Sequence, residues 1–166
     1  MSYKVFIDGE AGTTGLQIRD RLERRADISL VSVDPARRKD LDARSEALAE
    51  ADVAILCLPD DAARDTVALA EPLGTRIIDA STAHRVAQGW TFGFAEMSRD
   101  QRAAIAGARL VSNPGCWSTC AIALIRPLVE AGLIDPASAP AISGVSGYTG
   151  GGKGMIAEYD SGEASG

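Results

Sequence analysis

The chain has 166 residues, 46% hydrophobic and 24% charged, with a net charge of −6. That is an ordinary globular composition, long enough for a compact domain that buries roughly two-thirds of its unfolded surface. The acidic balance, with no basic run beyond Arg37-Arg38-Lys39, argues against a nucleic-acid binder. No stretch approaches the roughly 18 apolar residues of a membrane span, and the start lacks a signal peptide's charged and apolar regions. Cys57, Cys116 and Cys120 form neither a disulfide framework nor a zinc signature, and one histidine excludes a histidine-rich metal site. The reducing cytoplasm is the expected compartment.

In chain order, residues 3–8 read as a first strand, rich in β-formers and ending in glycine. Residues 13–25 carry Gly15, Ile18 and Leu22 on one helical face, with Arg and Glu opposite. Residues 28–33 and 53–58 form the second and third strands. Residues 60–71 form a helix lined by Ala63, Val67 and Ala70. Residues 76–79 and 109–112 supply a fourth and a fifth strand. Strands that are apolar throughout, alternating with helices, indicate a parallel sheet covered on both faces. The expected class is a doubly wound α/β domain.

After Asn113 the character changes. Residues 114–131 read as one long apolar helix and residues 141–146 as a further strand. The tail over 143–166 holds 8 glycines in 24 residues and finishes on no predicted element. A compact domain rarely ends this way. The expected organisation is a dinucleotide-binding domain over 1–113 and, over 114–166, the incomplete beginning of a second, catalytic domain.

Gly9-Glu10-Ala11-Gly12-Thr13-Thr14-Gly15 follows the first strand directly and opens the first helix. Such a turn lets backbone N–H groups and the helix start approach a pyrophosphate with no side chain in the way. Thr13 and Thr14 add hydroxyl donors, and Gly15 permits close helix–strand packing. A plain strand-to-helix turn is the alternative, but the position at the first crossover is the one a dinucleotide loop requires. Asp34, 19 positions after Gly15, would grip a ribose 2′-hydroxyl and favour NAD. Arg37, Arg38 and Lys39 follow it and would hold a 2′-phosphate instead. The residues leave this choice open.

Ser112-Asn113-Pro114-Gly115-Cys116 joins the last strand to the long helix. Asn is a favoured N-cap and Pro a favoured first helical residue. Cys116 then falls in the first turn, where the helix dipole lowers a thiol pKa from about 8.5 to between about 3.5 and 7.5. A thiolate beside a hydride carrier forms a thioester or thiohemiacetal and exchanges hydride with it. Cys57 and Cys120 read as small buried hydrophobes, a reading that also competes for Cys116.

Several stretches together resemble one family. They are the Gly9-to-Gly15 turn, Leu58-Pro59, Asp79-Ala80-Ser81-Thr82-Ala83-His84-Arg85, Ser112-Asn113-Pro114-Gly115-Cys116, and the run from Ser143 to Lys153. In this order they are similar to the N-acetyl-gamma-glutamyl-phosphate reductases of the shorter type. These are relatives of aspartate-semialdehyde dehydrogenase, and the likeness runs the length of the chain. It implies a Rossmann-type sheet followed by the start of an α+β catalytic and dimerisation domain. It also implies reduction of N-acetyl-glutamyl 5-phosphate to the 5-semialdehyde by NADPH, in arginine biosynthesis. By the same likeness Cys116 is the nucleophile, and Gly9, Gly12, Thr13, Thr14 and Gly15 form the pyrophosphate loop. Leu58, Pro59 and Ser81 line the cofactor cleft. The family's preference for NADP(H) turns the 2′-position towards Arg37 and Arg38. In the family a histidine of the second domain acts as acid/base. His84 does not match it, so the chain by itself is expected to turn over little.

Three further residues carry weaker readings. Arg85 meets a substrate carboxylate or a surface acid. Lys153 meets the departing phosphate or is a loop lysine. Asn113 orients the substrate or only caps its helix. Trp90, Phe92 and Phe94 read as satellite core. The expected partners are a small acyl phosphate and further copies of the chain, with no nucleic acid and no membrane. Two alternatives stand beside the enzyme: an aspartyl-phosphate reductase, and a non-catalytic dinucleotide-binding module.

Overall fold

The structure is a computed structural model that describes residues 2–162, without the side chains of residues 13, 149, 152 and 153. Its strands are β1 (Tyr3–Asp8), β2 (Ile28–Val31), β3 (Val53–Leu56), β4 (Arg76–Asp79), β5 (Thr91–Phe92) and β6 (Leu110–Ser112). They pair in the order β2-β1-β3-β4-β6-β5, and every pairing is parallel. Strands buried on both faces need apolar residues at successive positions. Val5, Phe6 and Ile7 of β1 are accordingly all buried.

The crossovers are α1 (Thr13–Glu23), α2 (Leu41–Glu50), α3 (Asp60–Ala70) and α4 (Gln101–Gly107). Phe6, Leu48, Leu56, Ala63, Ala70 and Ile77 form the core between sheet and helices. Trp90 packs against it, as a satellite. Beyond the sheet lie α5 (Cys116–Glu130), a short 3-10 turn at Tyr148–Gly151, and α6 (Gly152–Asp160).

The register decides what the sheet can do. Asp8 pairs with Leu56, Leu56 with Asp79, and Asp79 with Ser112. One straight row at the carboxyl ends of four strands therefore releases the four loops that the sequence singles out. Strand order reverses between β1 and β3, and ligands of open α/β sheets bind in the crevice at such a switch point.

Several expectations are corrected. The strand expected fifth is the sixth, because Thr91–Phe92 pairs beside it at the sheet edge. Two residues carry no periodicity to read. Helices α2 and α4 also lie outside the elements that the sequence pattern predicts. Helix α2 buries mainly alanines (Ala43, Ala47) beside Leu48, and α4 buries nothing, so neither shows a strong apolar stripe. A signal for α2 was present in Asp40, whose carboxylate accepts from Asp42 N and Ala43 N as an N-cap.

Residues 141–146 form no strand. Their β-forming pattern has no neighbouring strand to complete a ladder, and β-propensity expresses packing more than backbone preference. Conversely, the glycine-rich tail contains α6, where Met155, Ile156, Ala157 and Glu158 carry the helix beyond the glycines. Residues 163–166, where the tail was read as irregular, lie outside the described residues.

Candidate active site

A cleft of about 620 Å³ opens over the ends of β1 and β3, walled by the turn after β1, Cys57-Leu58-Pro59, and Arg38 and Lys39. The turn closes on itself through Gly12 N, which donates to Gly9 O at 3.0 Å. Gly9 has φ +87°, and a Cβ there would run into the Cys57 carbonyl. A Cβ at Gly15 would strike Gly9 O and stand 2.7 Å from Glu10 Cα. Only glycine satisfies both positions. The resulting cradle of bare backbone, opening onto the N-terminus of α1, suits a dinucleotide pyrophosphate.

Of the expected cofactor residues, Gly9, Gly12, Leu58, Pro59 and Arg38 line this cleft, and Gly15 lies buried behind the turn. Thr14 is exposed on α1, and the Thr13 side chain lies outside the described residues. Arg37 does not reach the cleft. Its guanidinium pairs with Asp40 at 3.2 Å, and it borders a separate depression with Asp34. Asp34 is engaged in a local turn, accepting from Ala36 N at 2.8 Å. Lys39 takes the place beside Arg38 instead.

The cleft also contains charges that no sequence motif marks. Asp8 and Arg44 form a largely buried pair, 2.7 Å between Oδ2 and Nη2. Thr66 Oγ1 lies 2.9 Å from Asp8 Oδ2 and also meets Arg44. At the rim Arg19 is paired with Glu10 and, at 2.7 Å, with Glu23. Arg44 lies 36 residues from Asp8 and carries no local motif, so only the fold finds the pair. Burial, with Asp8 and Asp79 nearby, pushes the Cys57 thiol up to about 11.

The neighbouring loop is held by two aspartates. Asp79 is fully buried; it accepts from Ser81 N at 2.9 Å, from Ser81 Oγ at 2.6 Å, and from His84 Nδ1 at 2.6 Å. A carboxylate acceptor requires His84 to carry its proton on Nδ1. The His84 ring is stacked on Trp90, centroids 4.2 Å apart. Ser81 is thus occupied within its own loop and is not among the residues walling the cleft. Asp60, at the start of α3, accepts from Thr82 Oγ1 at 2.5 Å and Thr82 N at 2.9 Å. Those bonds, the hydroxyl's first, hold the Asp60 carboxyl below the ordinary aspartate range.

From this loop Arg85 lies against the start of α5. A Cβ on Gly115 would be 2.7 Å from Arg85 Nη1 and 3.2 Å from Cζ. Arg85 Nη2 reaches Ala80 O at 3.5 Å, while Arg85 Nε and Ser112 Oγ are buried without a hydrogen-bond partner. The guanidinium therefore lies at the loop–helix junction and not against a surface acid.

The junction differs from expectation in one respect. The helix begins at Cys116 with Gly115 as its N-cap, and no side chain caps it. Asn113 N donates to Asp79 O at 2.7 Å and so prolongs the β6 ladder, which keeps Asn113 extended and delays the helix. The Asn113 amide turns to Pro114 O at 3.3 Å. Cys116 is still in the first turn, exposed, where free N–H groups and the helix dipole face outward. Cys120 is exposed as well, contrary to its reading as buried, because no element of the sheet covers that side of α5. Cys57 is half-buried in the cleft wall. The Lys153 side chain lies outside the described residues.

Among the described residues there is no helix long and apolar enough to cross a membrane. They also hold no cluster of three or more metal-binding side chains.

Comparison with known proteins matches two segments of the chain to family models. The family model "Semialdehyde dehydrogenase, NAD binding domain" matches residues 28–105, and "Semialdehyde dehydrogenase, dimerisation domain" matches residues 116–166. The N-acetyl-gamma-glutamyl-phosphate reductase of Chelativorans sp. is 59% identical over 161 residues, covering 96% of this chain and 52% of that protein. The one of Mesorhizobium japonicum is 56% identical, again over 96% of this chain and 52% of its own length. The chain spans about half the length of the curated relatives it matches. Aspartate semialdehyde dehydrogenase II from Vibrio cholerae superposes with a TM-score of 0.68 at 15% identity, covering 96% of this chain and 51% of that one. That likeness shows a shared fold. With two domain models of one family laid end to end along it, and close relatives over nearly its whole length, the chain belongs to the semialdehyde dehydrogenase family.

Proposed function

We propose that the protein reduces N-acetyl-L-glutamyl 5-phosphate to the 5-semialdehyde with NADPH, through a thioester on Cys116, in arginine biosynthesis. One observation carries the reading. The β1–β3–β4–β6 row releases the glycine cradle and the Cys116 helix start along one edge of one sheet. Relatives at 56% and 59% identity bear the name of that reductase.

In this reading residues 1–113 form the dinucleotide-binding domain and 114–166 begin the catalytic one, a division close to the two matched segments. Gly9, Gly12 and Gly15, with Thr13 and Thr14, hold the pyrophosphate, Leu58 and Pro59 wall the cofactor, and Ser81 shapes the loop beside it. Arg38, joined by Lys39, meets the 2′-phosphate, which favours NADP(H); the aspartate semialdehyde dehydrogenase of Candida albicans, of similar fold, has been solved with NADP. Cys116 Sγ attacks the acyl carbonyl, the bond to the phosphate oxygen breaks, and the acyl group stays on sulfur as a thioester. NADPH held in the cleft would supply a hydride to this acyl carbon, and the carbon–sulfur bond then breaks, releasing the aldehyde and returning Cys116 as a thiolate.

Arg85, fixed at the helix start, meets an anionic group of the substrate. Asn113 and Lys153 contribute to the substrate side. His84 is bound to Asp79 and stacked on Trp90, which unfits it for moving a proton at the substrate. His84 is therefore not the acid/base group in this reading. The matched dimerisation domain supports a homo-oligomer, and the biosynthetic role supports a cytoplasmic protein.

The test is turnover by the intact protein on N-acetylglutamyl phosphate and aspartyl phosphate, with wild type and Cys116→Ser. The expected result is activity on the acetylated substrate and a loss on the order of 10³-fold or more in C116S, with NADPH affinity retained. Preference for aspartyl phosphate, or an active C116S, overturns the reading. Intact NADPH binding with no turnover on either substrate would leave a binding module.

A further inference from the structure

We propose that His84 is a positioning residue, holding Arg85 against the start of the Cys116 helix through its bond to Asp79. The inference rests on the reading of Cys116 as the nucleophile and of Arg85 as its cationic neighbour. The mechanism has no use for His84, yet this is the one histidine of the chain, and it is buried.

The imidazole is held from two directions. Nδ1 meets Asp79 Oδ2 at 2.6 Å, and one ring face lies on Trp90 at 4.2 Å with the planes 11° apart. Asp79 is itself held in place, with no exposed surface, two bonds from Ser81, and a carbonyl taken by Asn113 N. The position of residue 84 is therefore referred to β4 and to the β6 exit that leads into Cys116. Among the described residues Arg85, the next residue, makes one side-chain hydrogen bond, a long one, to Ala80 O at 3.5 Å. Its Nε is buried with no partner. A guanidinium so weakly bonded does not hold its own place against Gly115. The neighbouring backbone must hold it, and the His84 anchor fixes that backbone. An apolar side chain at 84 would leave Asp79 short of one donor and free the segment to rotate Arg85 away.

The readout is the charge preference of Cys116, which a purely structural role would not move. Iodoacetate is anionic and iodoacetamide neutral. Peptide mass spectrometry of the intact protein gives the rate of each reagent at Cys116, normalised to exposed Cys120 four residues along. Wild type should favour iodoacetate at Cys116 relative to Cys120. Arg85→Met should lower that ratio about fivefold, the order of effect of removing one nearby unit charge in water. His84→Phe should lower it by a similar factor, and adding H84F to R85M should change nothing further. His84→Asn, whose amide can take the place of Nδ1–H, should retain the wild-type ratio. Should H84F fail to fold, His84→Gln, which is polar but does not place a donor at Nδ1, should show the same loss. A reactive Cys116 whose ratio ignores H84F or H84Q, or effects of H84F and R85M that multiply, overturns the inference alone. A Cys116 inert to both reagents in wild type overturns the nucleophile reading and the inference with it.

Discussion

Up to Ser112 the chain builds a buried apolar core, whereas beyond Ser112 no described residue is buried. In the first region α2 and α3 set Leu48 and Ala63 against the sheet with no exposure at all. In the second, Leu124 of α5 is 69% exposed, and Ala121, Ile122, Ile125 and Val129 border an open groove of about 520 Å³ with Met97. Both regions contain amphipathic or apolar helices. What separates them is the presence of a sheet face to receive the apolar side. A helix forms from local pattern, but its stability in a protein comes mostly from the surface that it packs against. The glycine cleft is therefore built on a finished core, and Cys116, the proposed nucleophile, stands four residues beyond Ser112.

The strongest way to break this contrast is Arg44→Leu. It strands the Asp8 carboxylate under the cleft, and removing one partner of a buried pair costs about 3–5 kcal/mol. Urea denaturation should show that loss. A change below about 1 kcal/mol would mean that the cleft floor does not depend on the pair.

The cysteines sharpen the same contrast. With its thiol pushed up to about 11, Cys57 should alkylate at pH 8 roughly 100-fold more slowly than an ordinary thiol. Exposed Cys116 and Cys120 should be reached without denaturant. Fast modification of Cys57 in the native protein would show the cleft wall to be open.

Acid should act on the loop between the regions. Asp60 is held below the ordinary aspartate value of 3.8 by Thr82. A carboxylate depressed in the folded state contributes stability that is present above its unfolded value and is lost as pH falls through the folded one. Stability should therefore fall on acidification below about pH 4, and Thr82→Val should flatten that part of the curve. An unchanged acid limb in T82V would break the assignment of the clamp.

The smallest effect is expected in the second region. Leu124→Gln should alter the stability of this chain by no more than about 0.5 kcal/mol, the usual range for exposed sites. A larger loss in thermal or urea unfolding would show that α5 is covered on that side.

Much of this molecule was legible in the residues. The parallel α/β class followed from apolar strands alternating with helices. The glycine turn was readable because Gly9, Gly12 and Gly15 obey a local steric demand. The Cys116 helix start survived a two-residue error in its cap. The errors have a common cause. Asn113 was read as an N-cap from local preference, but its N–H is claimed by Asp79, 34 positions earlier. Residues 141–146 were read as a strand by composition, yet a strand exists only where another pairs with it. Arg37 and Arg38 were indistinguishable until Asp40 took Arg37.

The sequence by itself determined the order of elements, the backbone freedom of the phosphate turn and the placement of a thiol at a helix start. Each depends on contacts within a few residues. The tertiary structure alone decided that Asp8, Leu56, Asp79 and Ser112 stand in one row. It also decided that Arg44 neutralises Asp8, and that the loop of Asp79 and His84 carries Arg85 to Gly115. Those contacts join residues tens of positions apart. Strand register and the burial of paired charges are properties of the assembled sheet, and no local preference encodes them.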